Sequence, residues 1–234
     1  MEAADMTQAE QAQSPTGESD MTPEQAARHL KAIRELMERP IRQTTRSGLA
    51  GGIAGALALA GCAVTGVIWP ARPDGPPESL VFSNTRFSGI QDGDTILAAG
   101  LTWLAVLVIA ATADVVITWA RARRRGETYW KRAQFQTGLA ILPGFVLAAF
   151  FTYMFGAWNE YGLIPFGWMI GYGMALWTVG MFSITEVKVL GAAFLAAGWM
   201  GMVLLPGYPI VLLAATFGGF HLVYGAVVWR RHGG

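Results

Sequence analysis

GLAGGIAGALALAGCAVTGVI, at Gly48–Ile68, contains no charged residue and matches the thickness of a lipid bilayer. A helix needs about 20 apolar residues to cross roughly 30 Å of hydrocarbon at a rise of about 1.5 Å per residue. Five further apolar stretches follow it along the chain: Ile96–Trp119, Thr137–Ala157, Ile164–Phe182, Glu186–Leu205 and Pro209–Trp229. The sequence therefore predicts an all-α polytopic membrane protein, with a bundle of six transmembrane helices over residues 48–229.

The basic residues predict how this bundle is oriented. All of the 17 Lys and Arg except Arg72 and Arg86 fall on the side that holds both termini. Basic residues concentrate on the cytoplasmic side of membrane proteins, so we expect both termini there and the loop Pro70–Thr95 outside. The net charge of +1 averages two unlike faces and gives no indication of nucleic-acid binding. Abundant Arg, Ala and Gly suggest a GC-rich bacterial genome, hence a bacterial inner membrane.

The segment before the first span predicts a tail and a helix. Residues 1–21 are polar with little to bury, which is typical of a disordered cytoplasmic tail. Thr22 and Gln25 have the spacing of a capping box, so 22–39 is predicted as a cytoplasmic amphipathic helix. Its apolar residues recur at helical spacing: Ala26, Leu30, Ile33 and Met37. This helix fits the headgroup region, the ends of its own bundle or a partner protein. Ser183 and Glu186 predict a second capping box before the fifth span.

Glycines predict a close helix contact for the first span. Gly48 and Gly52 form one row of small residues, and Gly51 and Gly55 form a second. Small residues let the backbones of membrane helices approach each other closely. We therefore expect this span to pack tightly, either inside its own bundle or against another copy in a homo-oligomer.

Two ionisable residues inside the spans are the candidates for function. Ionisable residues within a membrane mark functional sites by default, and here these are Asp114 and His221. Helical rise places them roughly 10 and 13 Å inside the basic cytoplasmic boundary, at similar depth. We expect them to lie within one helix–helix interface, either as a structural hydrogen-bonded pair or as a path for protons.

The remaining side chains predict contacts with lipid and no cofactor. Four arginines after the second span fit anionic lipid headgroups or simply fix topology: Arg121, Arg123, Arg124 and Arg125. Cys62 is the sole cysteine, so neither an internal disulfide nor a cysteine metal site is expected. Asp114 and His221 lack a third metal ligand. Four tryptophans fall near mid-span or are less clearly placed, and fit either ordinary packing or a ligand cavity: Trp103, Trp168, Trp177 and Trp199.

Both ends of the chain resemble a group of small bacterial membrane proteins. The resemblance lies in Leu30–Arg39 leading into Ser47–Gly55, and in Thr216–Gly225 through Arg230–Gly234. Those proteins have five or six spans and no assigned activity, and some are encoded beside a winged-helix transcriptional regulator. The resemblance implies a regulatory or sensing role and supplies no catalytic residues.

Three functions remain open from the sequence. The first is a non-enzymatic accessory or regulatory membrane protein that acts through protein or lipid contacts. The second is a small proton-coupled carrier that uses Asp114 and His221. The third is an enzyme acting on a lipid, which ranks last because no nucleophile elbow, phosphate loop or zinc-binding motif occurs.

Overall fold

The computed structural model describes six helices that are long and apolar enough to cross a membrane. The residues it describes are Thr22, 24–25, 27–30, 48–68, 93–124, 132–181 and 183–232, without the side chains of 132–134 and 232. All regular secondary structure in this part of the chain is helical. The all-α fold class and the six candidate spans predicted from the sequence are therefore confirmed.

The helices follow one another in the predicted order. The first five are α1 Gly48–Ile68, α2 Gly93–Arg124, α3 Arg132–Ala157, α4 Ile164–Gly180 and α5 Thr185–Leu204. The sixth, α6, is continuous through three segments, which are Pro209–Leu213, Ala214–Phe220 and His221–His232. Helices α2 and α3 begin before their predicted spans, because hydropathy marks only the apolar part of a helix that continues into polar flanks.

Helix α4 packs closely between α3 and α5. A methyl group added at Gly171 would lie 2.6 Å from the carbonyl oxygen of Gly144 on α3. On the opposite side, one added at Gly173 would lie 2.7 Å from the backbone nitrogen of Leu195 on α5. Short connections make these helices antiparallel neighbours, and glycine lets their backbones approach to within dispersion contact.

Helix α1 packs against α6 through three of its four predicted glycines. A methyl group at Gly55 would lie 2.8 Å from the carbonyl oxygen of Gly218, and one at Gly51 would lie 3.0 Å from Cδ1 of Tyr224. Gly48 also lies directly against α6. Gly52 has no atom within 4 Å of such a methyl group, because its Cβ direction points away from α6 although its backbone nitrogen lies close to Gly225.

Helix α2 is the least buried of the six. It packs chiefly on α1, where Val106 and Trp103 face Gly61. Only 6% of the residues in its apolar window, the most apolar stretch of the helix, are buried, against 61% for the span that contains α4. Most of the α2 surface is therefore open to lipid or to another protein.

The N-terminal unit, Met1–Pro40, is described in part. The backbone N–H of Thr22 donates to Oε1 of Gln25 at 3.0 Å, and that of Gln25 donates to Oγ1 of Thr22 at 3.2 Å. These two hydrogen bonds form the predicted capping box, and residues 24–25 and 27–30 are helical. The tail 1–21, the rest of helix 22–39 and the loop 70–95 lie outside the described residues, so those assignments stay predictions.

The second capping box is absent, and that prediction was wrong. Helix α5 begins at Thr185, with Ile184 in the capping position and no side-chain cap. The carboxylate of Glu186 instead accepts from Nη1 of Arg231 at 3.1 Å. The guanidinium of Arg231, at the end of α6, thus binds the Glu186 carboxylate, which a capping box would have directed back to Ser183.

Candidate functional site

His221 is positioned by an unusual turn of α6. Residues Ala214–Phe220 form a π-helical segment, which holds an extra residue per turn and occurs frequently at functional sites. Oγ1 of Thr216 donates to the carbonyl oxygen of Leu212 at 2.7 Å, so a side chain bonds the backbone where the segment begins. The segment ends at Phe220, and the next residue, His221, is 6% exposed and faces the bundle interior.

The imidazole of His221 is hydrogen-bonded to a tyrosine near the middle of α4. Its Nε2 lies 2.8 Å from Oη of Tyr172, and the tautomer of the imidazole decides which of the two donates. The backbone carbonyl groups of Thr216 and Phe217 lie beside the ring. Nδ1 nevertheless makes no hydrogen bond of acceptable geometry with a described residue. The tautomer that carries its proton on Nδ1 would direct that N–H toward these carbonyl groups, and Nε2 would then accept from the Tyr172 hydroxyl.

Two phenylalanine rings contact this pair, and a third packs behind them. The ring of Phe194 on α5 lies 5.0 Å from the Tyr172 ring and 5.4 Å from the His221 ring, measured between centroids. Phe217 stacks on His221 at 6.2 Å, and Phe220 meets Phe194 edge-on at 5.6 Å. The hydrogen bond therefore lies in apolar surroundings, where it is stronger than in water and where losing one partner is costly.

Two tryptophans extend the aromatic cluster toward α2 and α3. Trp103 lies 5.7 Å from Trp168 and 6.3 Å from Phe217 between ring centroids. Nε1 of Trp103 donates to Oγ1 of Thr65 at 3.0 Å, and Nε1 of Trp168 donates to Oγ1 of Thr152 at 2.8 Å. Both indoles are thus packed and hydrogen-bonded, as the ordinary packing interpretation expects.

Asp114 lies apart from this cluster. It is exposed on α2 and makes no hydrogen bond or ion pair with any described residue. The side chain of His221 is turned inward to Tyr172 instead. The two residues expected to share one interface therefore do not pair. A similar predicted depth does not make two residues neighbours, because packing decides which helices are adjacent.

Tyr172 is the partner that the sequence analysis did not identify. It is flanked by Gly171 and Gly173, which pack against α3 and α5 on either side. A bulky polar ring between two glycines near the middle of a span is the signal that could have marked it. Because α3 and α5 occupy the two sides of α4 at this level, the tyrosine ring points toward α6.

Three of the four arginines that follow the second span lie at the end of α2. The guanidinium of Arg123 lies 5.4 Å above the Trp119 ring, a cation–π contact typical of the membrane–water boundary. Arg121 is half-buried and Arg124 is exposed. Arg125 lies outside the described residues. A similar contact, with Nζ of Lys188 4.8 Å from the Trp177 centroid, joins α5 to α4.

The fold and these contacts define an all-α polytopic membrane protein with six candidate spans. Within the described ranges, no three His, Cys, Asp or Glu side chains are grouped to hold a metal ion. No model of a protein family, no curated protein and no solved structure matches the chain. Inferences about function therefore rest on the geometry of its own residues.

Proposed function

We propose that this protein is a non-enzymatic accessory or regulatory protein of a bacterial inner membrane, with both termini cytoplasmic, acting through contacts with other proteins or with lipids. The observation that carries the proposal is the exposed carboxylate of Asp114 on α2, the helix with 6% of its apolar window buried. A charged group on the outward face of a span is stabilised when a second molecule covers it and supplies hydrogen-bond donors.

Low burial of α2 would not support this proposal alone. Lipid tails are as apolar as leucine side chains, so they cover an outward helix without difficulty. They cannot donate a hydrogen bond to a carboxylate, and ionisable groups within spans almost always face a bundle interior or a water-filled cavity. Asp114 instead faces outward from its own bundle, which favours a contact with another molecule.

The resemblance at the two ends of the chain supports the same proposal, since it implies a regulatory or sensing role. The arginines at the end of α2 add a surface that fits anionic lipid headgroups. The carrier hypothesis loses its main support, because it relied on Asp114 and His221 acting together and His221 is hydrogen-bonded to Tyr172.

Site-specific photo-cross-linking in cells tests this proposal. A photoreactive amino acid is placed at Leu104 or Val115, which are 55% and 48% exposed on α2. Val189, which is 62% exposed near the cytoplasmic end of α5, is the matched control. We expect a discrete protein adduct from the α2 positions and lipid adducts alone from Val189.

The proposal fails if α2 yields only lipid adducts, or if Val189 gives the same protein adduct as α2. Proton flux in proteoliposomes provides the separate test of the carrier. A pH-dependent flux that is abolished by Asp114→Asn and by His221→Gln would establish transport in place of the accessory role.

A further inference from the structure

We propose that Asp114 is the docking contact for a transmembrane helix of another protein that carries a lysine or arginine at the same depth. This inference rests on the proposed accessory function and names the chemistry of its partner. It concerns the surface formed by Leu107, Ala111, Asp114 and Thr118, which we call the Asp114 surface.

The depth of Asp114 excludes its ready hydration from the cytoplasm. Trp119 is 44% exposed and lies beneath Arg123, so this pair places the headgroup boundary along α2. Asp114 precedes Trp119 by roughly 7 Å of helical rise, a distance beyond the reach of an aspartate side chain. Arg121 lies two turns further along the helix, and no ion pair joins it to Asp114.

The residues around Asp114 suit a helix contact. Leu107, Ala111 and Thr118 lie seven and three residues before it and four after it, so all face the same side of α2. Leu107 and Ala111 are exposed, and Thr118 is half-buried. The small side chain of Ala111 lies one turn from the carboxylate and lets another helix backbone approach closely.

Charge complementarity identifies the partner as a basic one. A lone carboxylate and a lone ammonium or guanidinium group are each unfavourable in hydrocarbon, and pairing relieves both. Arginine and lysine carry the donors that a carboxylate requires, and Asp114 lacks such a donor within the described residues. A basic residue on a neighbouring span therefore satisfies Asp114 and is satisfied by it.

A second copy of this chain does not provide that group. All lysines and arginines in the six described helices lie in the first or last turn of their helix, as Lys188 does at the start of α5 over Trp177. A twofold contact through α2 would bring Asp114 against its own equivalent, and like charges repel. The occupant is therefore a different polypeptide.

Energy transfer in liposomes tests the inference with the full-length chain. The protein carries a donor fluorophore at its N-terminus, and a synthetic leucine–alanine transmembrane peptide carries the acceptor. One peptide has a lysine about two turns from its end, and its control has leucine at that position. We expect the lysine peptide to associate about three- to thirty-fold more tightly, as polar contacts between membrane helices do.

Three variants make this test specific. Asp114→Asn should remove the preference for the lysine peptide, because it removes the charge with little change in shape. Asp114→Glu should keep the preference. Asp94→Asn, which removes a carboxylate at the first turn of the same helix, is the matched control and should behave as wild type.

Two results would overturn the inference. One is equal binding of the lysine and leucine peptides by the wild type, or a preference that persists in Asp114→Asn. The other is energy transfer between copies of the wild type that disappears in Asp114→Asn, which would make a second copy the occupant. A protein adduct at Val115 without lysine preference would leave the accessory function standing and reject this contact. A preference for the lysine peptide without a protein adduct in cells would keep this contact and reject the accessory function.

Discussion

The hydroxyl of Tyr172 lies 2.8 Å from Nε2 of His221, so one hydrogen bond joins the middle of α4 to α6 across the aromatic interior of the bundle. Each partner comes from a different helix and each is surrounded by phenylalanine rings. This bond therefore selects which faces of the two helices meet, in a membrane where apolar contacts alone discriminate weakly.

Removing the tyrosine hydroxyl should destabilise the protein. Tyr172→Phe leaves Nε2 of His221 buried without its partner, and we expect a loss of about 1–2 kcal/mol in the free energy of unfolding. Tyr153→Phe, at a position 73% exposed on α3, is the matched control and should change little. Denaturant unfolding in detergent measures both. Equal stability of the two variants would show that the hydrogen bond is energetically silent.

Double-mutant cycles should distinguish the Tyr172–His221 pair, which is in contact, from the Asp114–His221 pair, which is not. Tyr172→Phe and His221→Gln remove the same hydrogen bond, so their effects on stability should be coupled by more than about 0.5 kcal/mol. Asp114→Asn and His221→Gln share no partner, and their effects should add. Coupling between Asp114 and His221 would instead support the interface expected from depth alone.

The glycines of α1 should differ sharply in tolerance. Gly55→Leu forces a side chain against the backbone of Gly218 and the side chain of Leu222, and overpacking of this kind costs about 1–3 kcal/mol. Gly52→Leu points into open space and should keep the thermal stability of the wild type. Thermal unfolding in detergent compares the two. If Gly52→Leu were the more damaging variant, the α1–α6 contact would be misplaced.

Cysteine labelling should establish the orientation in the membrane. In a Cys62→Ala background, Ser79→Cys should react with an impermeant reagent added to spheroplasts, which lack the outer membrane. Thr128→Cys should react only after the inner membrane is opened, because the basic loop that contains it is predicted to be cytoplasmic. Labelling of Thr128→Cys from outside would reverse the orientation and contradict the proposed cytoplasmic termini.

The spans could be predicted from the sequence because hydropathy sums over a whole helix. Errors at single positions cancel across about 20 residues, and the predicted Pro209–Trp229 lies within α6. Glycine patterns likewise indicated that α1 packs tightly, although the four glycines turned out to be unequal. Gly52 differs because a side chain there would point away from α6, although its backbone lies at the contact.

The partners of the polar residues could not be predicted in this way. Hydropathy gives the depth of Asp114 and of His221, which is one coordinate, whereas neighbours depend on how helices are arranged in the plane of the membrane. That arrangement is fixed by glycine contacts such as Gly144 with Gly171, which bring α3, α4 and α5 together. Tyr172 reaches His221 as a consequence of this packing.

The π-helical segment also sets the angular phase of α6. Up to the middle of the segment the buried positions are Pro209, Leu213, Thr216 and Gly218, and a regular α-helix would continue the spacing of the first three through Phe220 and Tyr224. After the segment the buried positions are instead His221, Gly225 and Val228. The one-residue offset corresponds to a rotation of about 100° in an α-helix. Because of this single inserted residue, the residues that face the bundle interior before and after the segment belong to two different rows along the helix. His221 is buried because of that offset.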